Sequence, residues 1–129
     1  MNWTFLTVAG LAAGLGAGAA TFTPQGSSPR VIRIAAERFS FAPSRITLDV
    51  GEEVELRLRS EDTSHGFHIL GTDIDVVIPK RGPQDVSVRF KATEPGRYTF
   101  ECSHVCGAGH DFMRGELVVR SAAEGAGRR

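Results

Sequence analysis

The 129 residues carry no surplus of either charge, since 15 basic side chains stand against 15 acidic ones. A nucleic-acid-binding chain would usually show a basic excess, so the balance argues against that class. Tryptophan and tyrosine occur once each, and the interior must be built on the 8 phenylalanines instead. There are 2 cysteines, Cys102 and Cys106. In an exported chain two cysteines taken alone would mean one disulfide. No charged side chain precedes Arg30, no internal repeat is present, and beyond residue 30 no stretch has a 3.6-residue apolar period. The length fits one domain plus a short extra segment.

The missing charge before Arg30 sets the compartment. Residues 3–22 (WTFLTVAGLAAGLGAGAATF) are apolar or small. A run of about 20 such residues can span a bilayer as a helix. Two readings compete. A signal peptide would be cleaved after Ala17-Gly18-Ala19, whereas an anchor would be kept. Neither has its usual positive flank, because Met1-Asn2 carries no Lys or Arg. Gly10, Gly14 and Gly18 recur every four residues and put bare backbone on one helix face, which favours a retained transmembrane anchor over 1–22. Both readings put the remainder outside the cytoplasm.

Residues 23–30 form a linker rich in Pro, Ser and Gly. Beyond the linker the chain is strand-like. Residues 31–34 (VIRI), 45–50 (RITLDV), 54–59 (VELRLR), 86–90 (VSVRF) and 98–100 (YTF) alternate apolar and polar, as half-buried strands do. Residues 117–119 (LVV) close the domain. Turn signals at Ala42-Pro43-Ser44, Arg81-Gly82-Pro83 and Glu94-Pro95-Gly96 separate them. Fifteen glycines and 6 prolines suit so many turns. The expectation is an all-β, small antiparallel sandwich or barrel of about seven to nine strands over 31–120, with a flexible tail at 121–129.

The informative stretch is 101–113, ECSHVCGAGHDFM, a loop between two strands. It gathers Cys102, Cys106, His104, His110 and Met113. Thiolate, imidazole and thioether together are the donor set that suits copper. Gly107 and Gly109 let the backbone turn tightly enough to converge them. A second piece lies upstream in Ser64-His65-Gly66-Phe67-His68, after the turn Glu61-Asp62-Thr63. Side chains alternate across a strand, so His65 and Phe67 share one side and His68 faces the other. Only one histidine joins the loop donors, and His65 is assigned. Each residue also has a plain reading: Met113 as core filler, His110 as a surface histidine, the cysteines as a disulfide. The combination outweighs them, because a mononuclear copper loop uses one Cys, then His, then Met. That unit exists here as Cys106, His110 and Met113, with a second Cys four residues earlier.

These residues resemble the CuA domain of cytochrome c oxidase subunit II. The family loop reads Cys-x-x-x-Cys-x-x-x-His-x-x-Met, matched by Cys102, Cys106, His110 and Met113. The upstream histidine matches His65. Residues 71–75 (GTDID) and 115–119 (GELVV) look like the family as well, and the likeness runs roughly from 31 to 120. It is nearest to the single-anchor subunit II of the B-type haem–copper oxidases. The resemblance implies a cupredoxin-like Greek-key fold behind one N-terminal apolar helix. It implies two coppers bridged by the Cys102 and Cys106 thiolates, with His65 on one and His110 on the other. Met113 and the backbone carbonyl of His104 would be weak ligands. Many members have Glu where this chain has His104, and that Glu side chain helps bind magnesium at the subunit I interface; the copper role needs only the carbonyl.

The implied function is electron transfer without bond chemistry on this chain. Cytochrome c or a similar donor would dock near His110 and Met113 on the periplasmic side, and haem in subunit I would accept. In the family's mixed-valence pair the buried charge changes between about +1 and 0, which limits the cost of burying charge. Phe39 or Phe41 is either the family's aromatic neighbour to the site, an electron-path candidate, or ordinary barrel core. Competing functions are a mononuclear copper carrier or exported copper-delivery protein on His65, Cys106, His110 and Met113, and an Ig-like binding module with one disulfide.

Overall fold

The alternating runs become strands because each can bury one face while its other face stays wet. In the computed structural model, which describes residues 26–128, nine strands build two facing sheets. The expected membrane helix over 1–22, and the start of the linker, lie outside the described residues. Among the described residues no helix is long and apolar enough to cross a membrane.

The first sheet has the order β2-β1-β4-β7, from β1 (Arg30–Glu37), β2 (Ser40–Ala42), β4 (Glu53–Ser60) and β7 (Val86–Lys91). The second has the order β3-β9-β8-β5-β6, from β3 (Arg45–Asp49), β5 (His65–Ile69), β6 (Asp75–Ile78), β8 (Gly96–Glu101) and β9 (Arg114–Arg120). The chain crosses between sheets after β2, β3, β4, β6 and β7, a Greek-key path.

One feature corrects the sequence expectation. The sheets are mixed rather than antiparallel: β1 runs parallel to β4 and β3 parallel to β9. Period-two alternation is the same for both pairings, so it cannot reveal direction. The crossover through β3 is what returns β4 alongside β1 in the same sense. Within the tail, Ala122–Ala126 form a short helix, α1. Ser121 accepts from the Glu124 N–H, and the Glu124 carboxylate accepts from the Ser121 N–H at 2.8 Å. This reciprocal cap satisfies two otherwise orphaned donors.

The core lies between the sheets. Val54, Leu56 and Leu58 point inward from β4 in register with Phe90 and Val88 of β7, and with Ile32 and Ile34 of β1. Phe41, Phe67 and Phe100 form an aromatic cluster with centroids 5.1 to 5.7 Å apart. Fully burying each such ring contributes about 1.5–3 kcal/mol. The cluster matters for function because Phe67 sits on β5, which carries His65, and Phe100 on β8, which leads into the loop of the other candidate ligands.

Candidate metal centre

The first ligand stands where β5 begins. His65 is fully buried. The Glu61-Asp62-Thr63 turn just before it bends back, so that Asp62 Oδ1 lies 2.7 Å from His65 Nε2. Asp62 also accepts from the Thr63 N–H at 2.7 Å and the Arg38 N–H at 3.0 Å. Burial works to raise the Asp62 carboxyl, but the hydrogen bonds from His65, Arg38 and Thr63 outweigh it and hold the group down to about 2. An ionised Asp62 can only accept, so His65 Nε2 carries the proton. In the neutral ring that fixes the tautomer and leaves Nδ1 as the acceptor. Nδ1 is buried and has no hydrogen-bond partner among the described residues.

The other donors hang on the loop from β8 to β9. A backbone bond from Cys102 N to Met113 O, 3.1 Å, closes the loop at its base. Cys102 and Cys106 are buried free thiols with sulfurs 3.7 Å apart. Cys106 Sγ lies 3.8 Å from Met113 Sδ and 3.9 Å from His110 Nδ1. The His104 carbonyl is 3.0 Å from Cys102 Sγ. His65, Cys102 and Cys106 bring their ligand atoms within 4.8 Å of one another. Met113 is fully buried, and His110 is half-buried at the start of a 3-10 turn, His110–Phe112.

Gly66 lets the strand and loop meet. Its N–H donates to Cys102 Sγ at 3.3 Å, and a Cβ there would collide with Ser103 Oγ and the His104 nitrogen. Burial pushes the Cys106 thiol up to about 11, and the Cys102 sulfur beside it adds to the shift. The buried Cys106 sulfur therefore resists ionisation unless a cation joins it. A bound metal ion is the group that makes thiols lose their protons. The orphaned imidazole nitrogen, the paired thiols, the thioether and the nearby carbonyl form a soft, mixed donor set that fits copper.

The structure thus brings together His65, Cys102, Cys106, His110, Met113 and the His104 carbonyl, and leaves the His104 side chain exposed. His68 is half-buried, in register with Asp75 and Glu101 rather than among the sulfurs. The two phenylalanine candidates separate. Phe41 belongs to the aromatic core, whereas the partly exposed Phe39 ring lies against Gly107 and Gly109 of the ligand loop. Sequence reasoning missed Asp62, read there only as part of a turn. The available signal was a carboxylate three residues before a candidate ligand histidine, the kind of partner that orients metal-bound imidazoles. It also missed Arg38, whose Nε donates to the Cys106 carbonyl at 2.8 Å.

Comparison with known proteins shows the family of the chain. The profile of the Cupredoxin-like domain family matches residues 6–119. Cytochrome c oxidase subunit 2 of Thermus thermophilus is 35% identical over 96 residues, covering 74% of this chain and 69% of that one. A second Thermus thermophilus protein of the same name is also 35% identical, and the chain spans 55% of its length. Among solved structures, a chain of a heme-copper terminal oxidase dimer has a TM-score of 0.63 at 29% identity, covering 70% of this chain and 65% of that one. The periplasmic domain of cytochrome oxidase subunit II from Bradyrhizobium japonicum has a TM-score of 0.67 at 15% identity, covering 78% and 91%, and shares the fold.

Proposed function

Because the chain belongs to the cupredoxin-like family and, within it, to that of cytochrome c oxidase subunit 2, we propose that it is the electron-accepting subunit of a terminal oxidase. In this reading it takes electrons from cytochrome c or another small redox protein at a dinuclear copper (CuA) centre. It hands them to haem in a subunit I partner. One observation carries the reading: two buried free thiols 3.7 Å apart, with a ring nitrogen of His65 within 4.8 Å of both sulfurs and its Nδ1 buried without a partner.

The proposed ligand roles come from donor chemistry. Cys102 and Cys106 would offer two thiolates, where a mononuclear site would have use for one. His65 Nδ1 and His110 Nδ1 offer one imidazole nitrogen each. Met113 Sδ and the His104 carbonyl are weak donors that complete the set. Copper bound there supplies a one-electron couple. The protein's part is to exclude water from the buried donors and to keep them in one geometry across both redox states, which two packed sheets can do.

Docking of a donor is favoured on the loop side. Val105 and Phe112 are 77% and 83% exposed on either side of His110 in the sequence, an apolar surface next to the least buried ligand. The copper domain is proposed to stand on the extracytoplasmic face, held by residues 1–22 as a membrane anchor. Mass spectrometry should find those residues retained, and a mature start near Ala20 would replace the anchor with a cleaved signal.

The deciding experiment is to load the full chain with copper and to combine metal analysis with electron paramagnetic resonance. Two coppers per chain with one spin shared between them are expected. One copper with a four-line hyperfine pattern would replace this reading with a mononuclear carrier.

A further inference from the structure

We propose that Arg38 is a positioning residue of the metal centre, clasping its two halves together and raising its reduction potential through the guanidinium charge. The proposal rests on the copper reading and deepens it.

Arg38 lies in the turn between β1 and β2, on the other sheet from the ligands. Its two hydrogen-bonding ends go to different halves of the site. The backbone N–H donates to Asp62 Oδ2 at 3.0 Å, while the other oxygen of Asp62 holds His65 Nε2 at 2.7 Å. The side-chain Nε donates to the Cys106 carbonyl at 2.8 Å, across 68 residues of sequence. One residue thus fixes the anchor of the strand histidine and the middle of the thiol loop. The loop is shaped to receive it. Gly107 has φ +144°, and a Cβ there would meet the Phe39 ring at 2.9 Å and Arg38 Nε at 3.6 Å. A Cβ at Gly109 would collide with the same ring.

The electrostatics give the second half of the proposal. Among the described residues the Arg38 guanidinium forms no ion pair, and the Asp62 carboxylate, which takes the Arg38 backbone N–H and His65 Nε2, is the opposing charge at the site. The guanidinium stays charged at all ordinary pH values. A fixed positive charge beside a cysteine ligand disfavours the more positive, oxidised state of the centre. It therefore favours uptake of the electron. Arg38 is solvent-exposed, which weakens the effect by screening.

The test uses the full chain with two variants. Arg38→Met keeps the aliphatic stem and loses both charge and donor. Arg38→Lys keeps the charge but loses the planar Nε donor. In copper-loaded protein, Arg38→Met is expected to lower the reduction equilibrium about tenfold, which is about 59 mV for one electron, while Arg38→Lys stays within about twofold of the parent. In metal-free protein, amide hydrogen exchange over residues 103–110 is expected to speed up about tenfold in Arg38→Met, because the side-chain half of the clasp is lost while the backbone N–H still reaches Asp62. An unchanged potential in Arg38→Met, or an equal fall in both variants, overturns the charge effect. Unchanged loop exchange overturns the clasp. The metal-free measurement stands apart from the copper reading: failure of the parent to take up copper would end that reading, and the exchange rates would still decide whether Arg38 holds the loop.

Discussion

At one end of the sandwich, Arg120 Nε and Nη2 both reach Asp49 Oδ1, at 2.9 and 2.7 Å; at the other end, His65 Nδ1 reaches nothing. Strand β9 links the two ends, running from Arg114 beside the ligand loop to Arg120. The Arg120 end is closed with its own groups. Glu52 takes the Asp49 N–H at 2.9 Å and pairs with Arg30, and Ser121 and Glu124 cap α1 reciprocally. The loop end is finished differently. Its donors converge, the Cys106 thiol is pushed up by burial and by the Cys102 sulfur, and a buried nitrogen is left over. A polar group buried without a partner costs roughly 1–3 kcal/mol. A fold tolerates that cost where a ligand later offsets it. The contrast separates an end that needs only the chain from an end that needs something added.

The contrast is broken most severely at Cys102. Cys102→Ser should abolish the shared-spin signal and leave at most one copper, on Cys106, by metal analysis and electron paramagnetic resonance. Two coppers with a shared spin in that variant would remove the bridging role.

Asp62 comes next. Asp62→Asn removes the carboxylate that orients His65, and copper affinity in a chelator competition should fall about 10–100-fold. The same substitution has a pH signature in the metal-free chain. The folded-state pKa of Asp62, about 2, lies below its ordinary value of 3.8. Its contribution is therefore fully present above about pH 4 and is lost as pH falls through about 2. Acid unfolding followed by circular dichroism should show the parent losing more stability across that window than Asp62→Asn. Equal slopes would show that the carboxylate is not held by the fold.

The opposite end should respond only in stability. Asp49→Asn weakens a partly exposed ion pair, so it should cost about 0–1 kcal/mol in denaturant melts. Copper stoichiometry and spectrum should stay at parental values. A changed copper signal would mean that the two ends are coupled along β9. The smallest effect is expected at His104. Its side chain is exposed and only its carbonyl faces Cys102. His104→Gln should keep the copper and change stability by no more than about 0.5 kcal/mol. Loss of copper with the fold intact would show that the imidazole is itself a ligand.

Much of this could be read along the chain. Alternation located most of the strands, because a half-buried strand must repeat every two residues whatever it pairs with. The same alternation separated His65 from His68. The spacing of Cys102, Cys106, His110 and Met113 put four soft donors on one loop, and no packing is needed to see that they converge. Strands β2 and β6 were not recognised as strands, for SFA and DVVI do not alternate apolar and polar residues along their length. The cap at Ser121 and Glu124 is a four-residue pattern, legible in principle but passed over in a segment rich in Ala and Gly.

What the sequence by itself determined is therefore local: the strand period, the balance of charge, the apolar N-terminal run, and a donor loop whose chemistry points to copper. Only the tertiary structure decided the rest. It made β1 and β4 parallel, sent Phe41 into the core and Phe39 onto the loop, and set Asp62 behind His65. It also carried Arg38 across to Cys106, over 68 residues. The physical reason is that a period or a spacing is fixed by backbone geometry within a few bonds. A contact between distant residues exists only after two sheets have closed on each other. Nothing in the local pattern records which of many polar side chains will then lie within hydrogen-bond reach of a ligand.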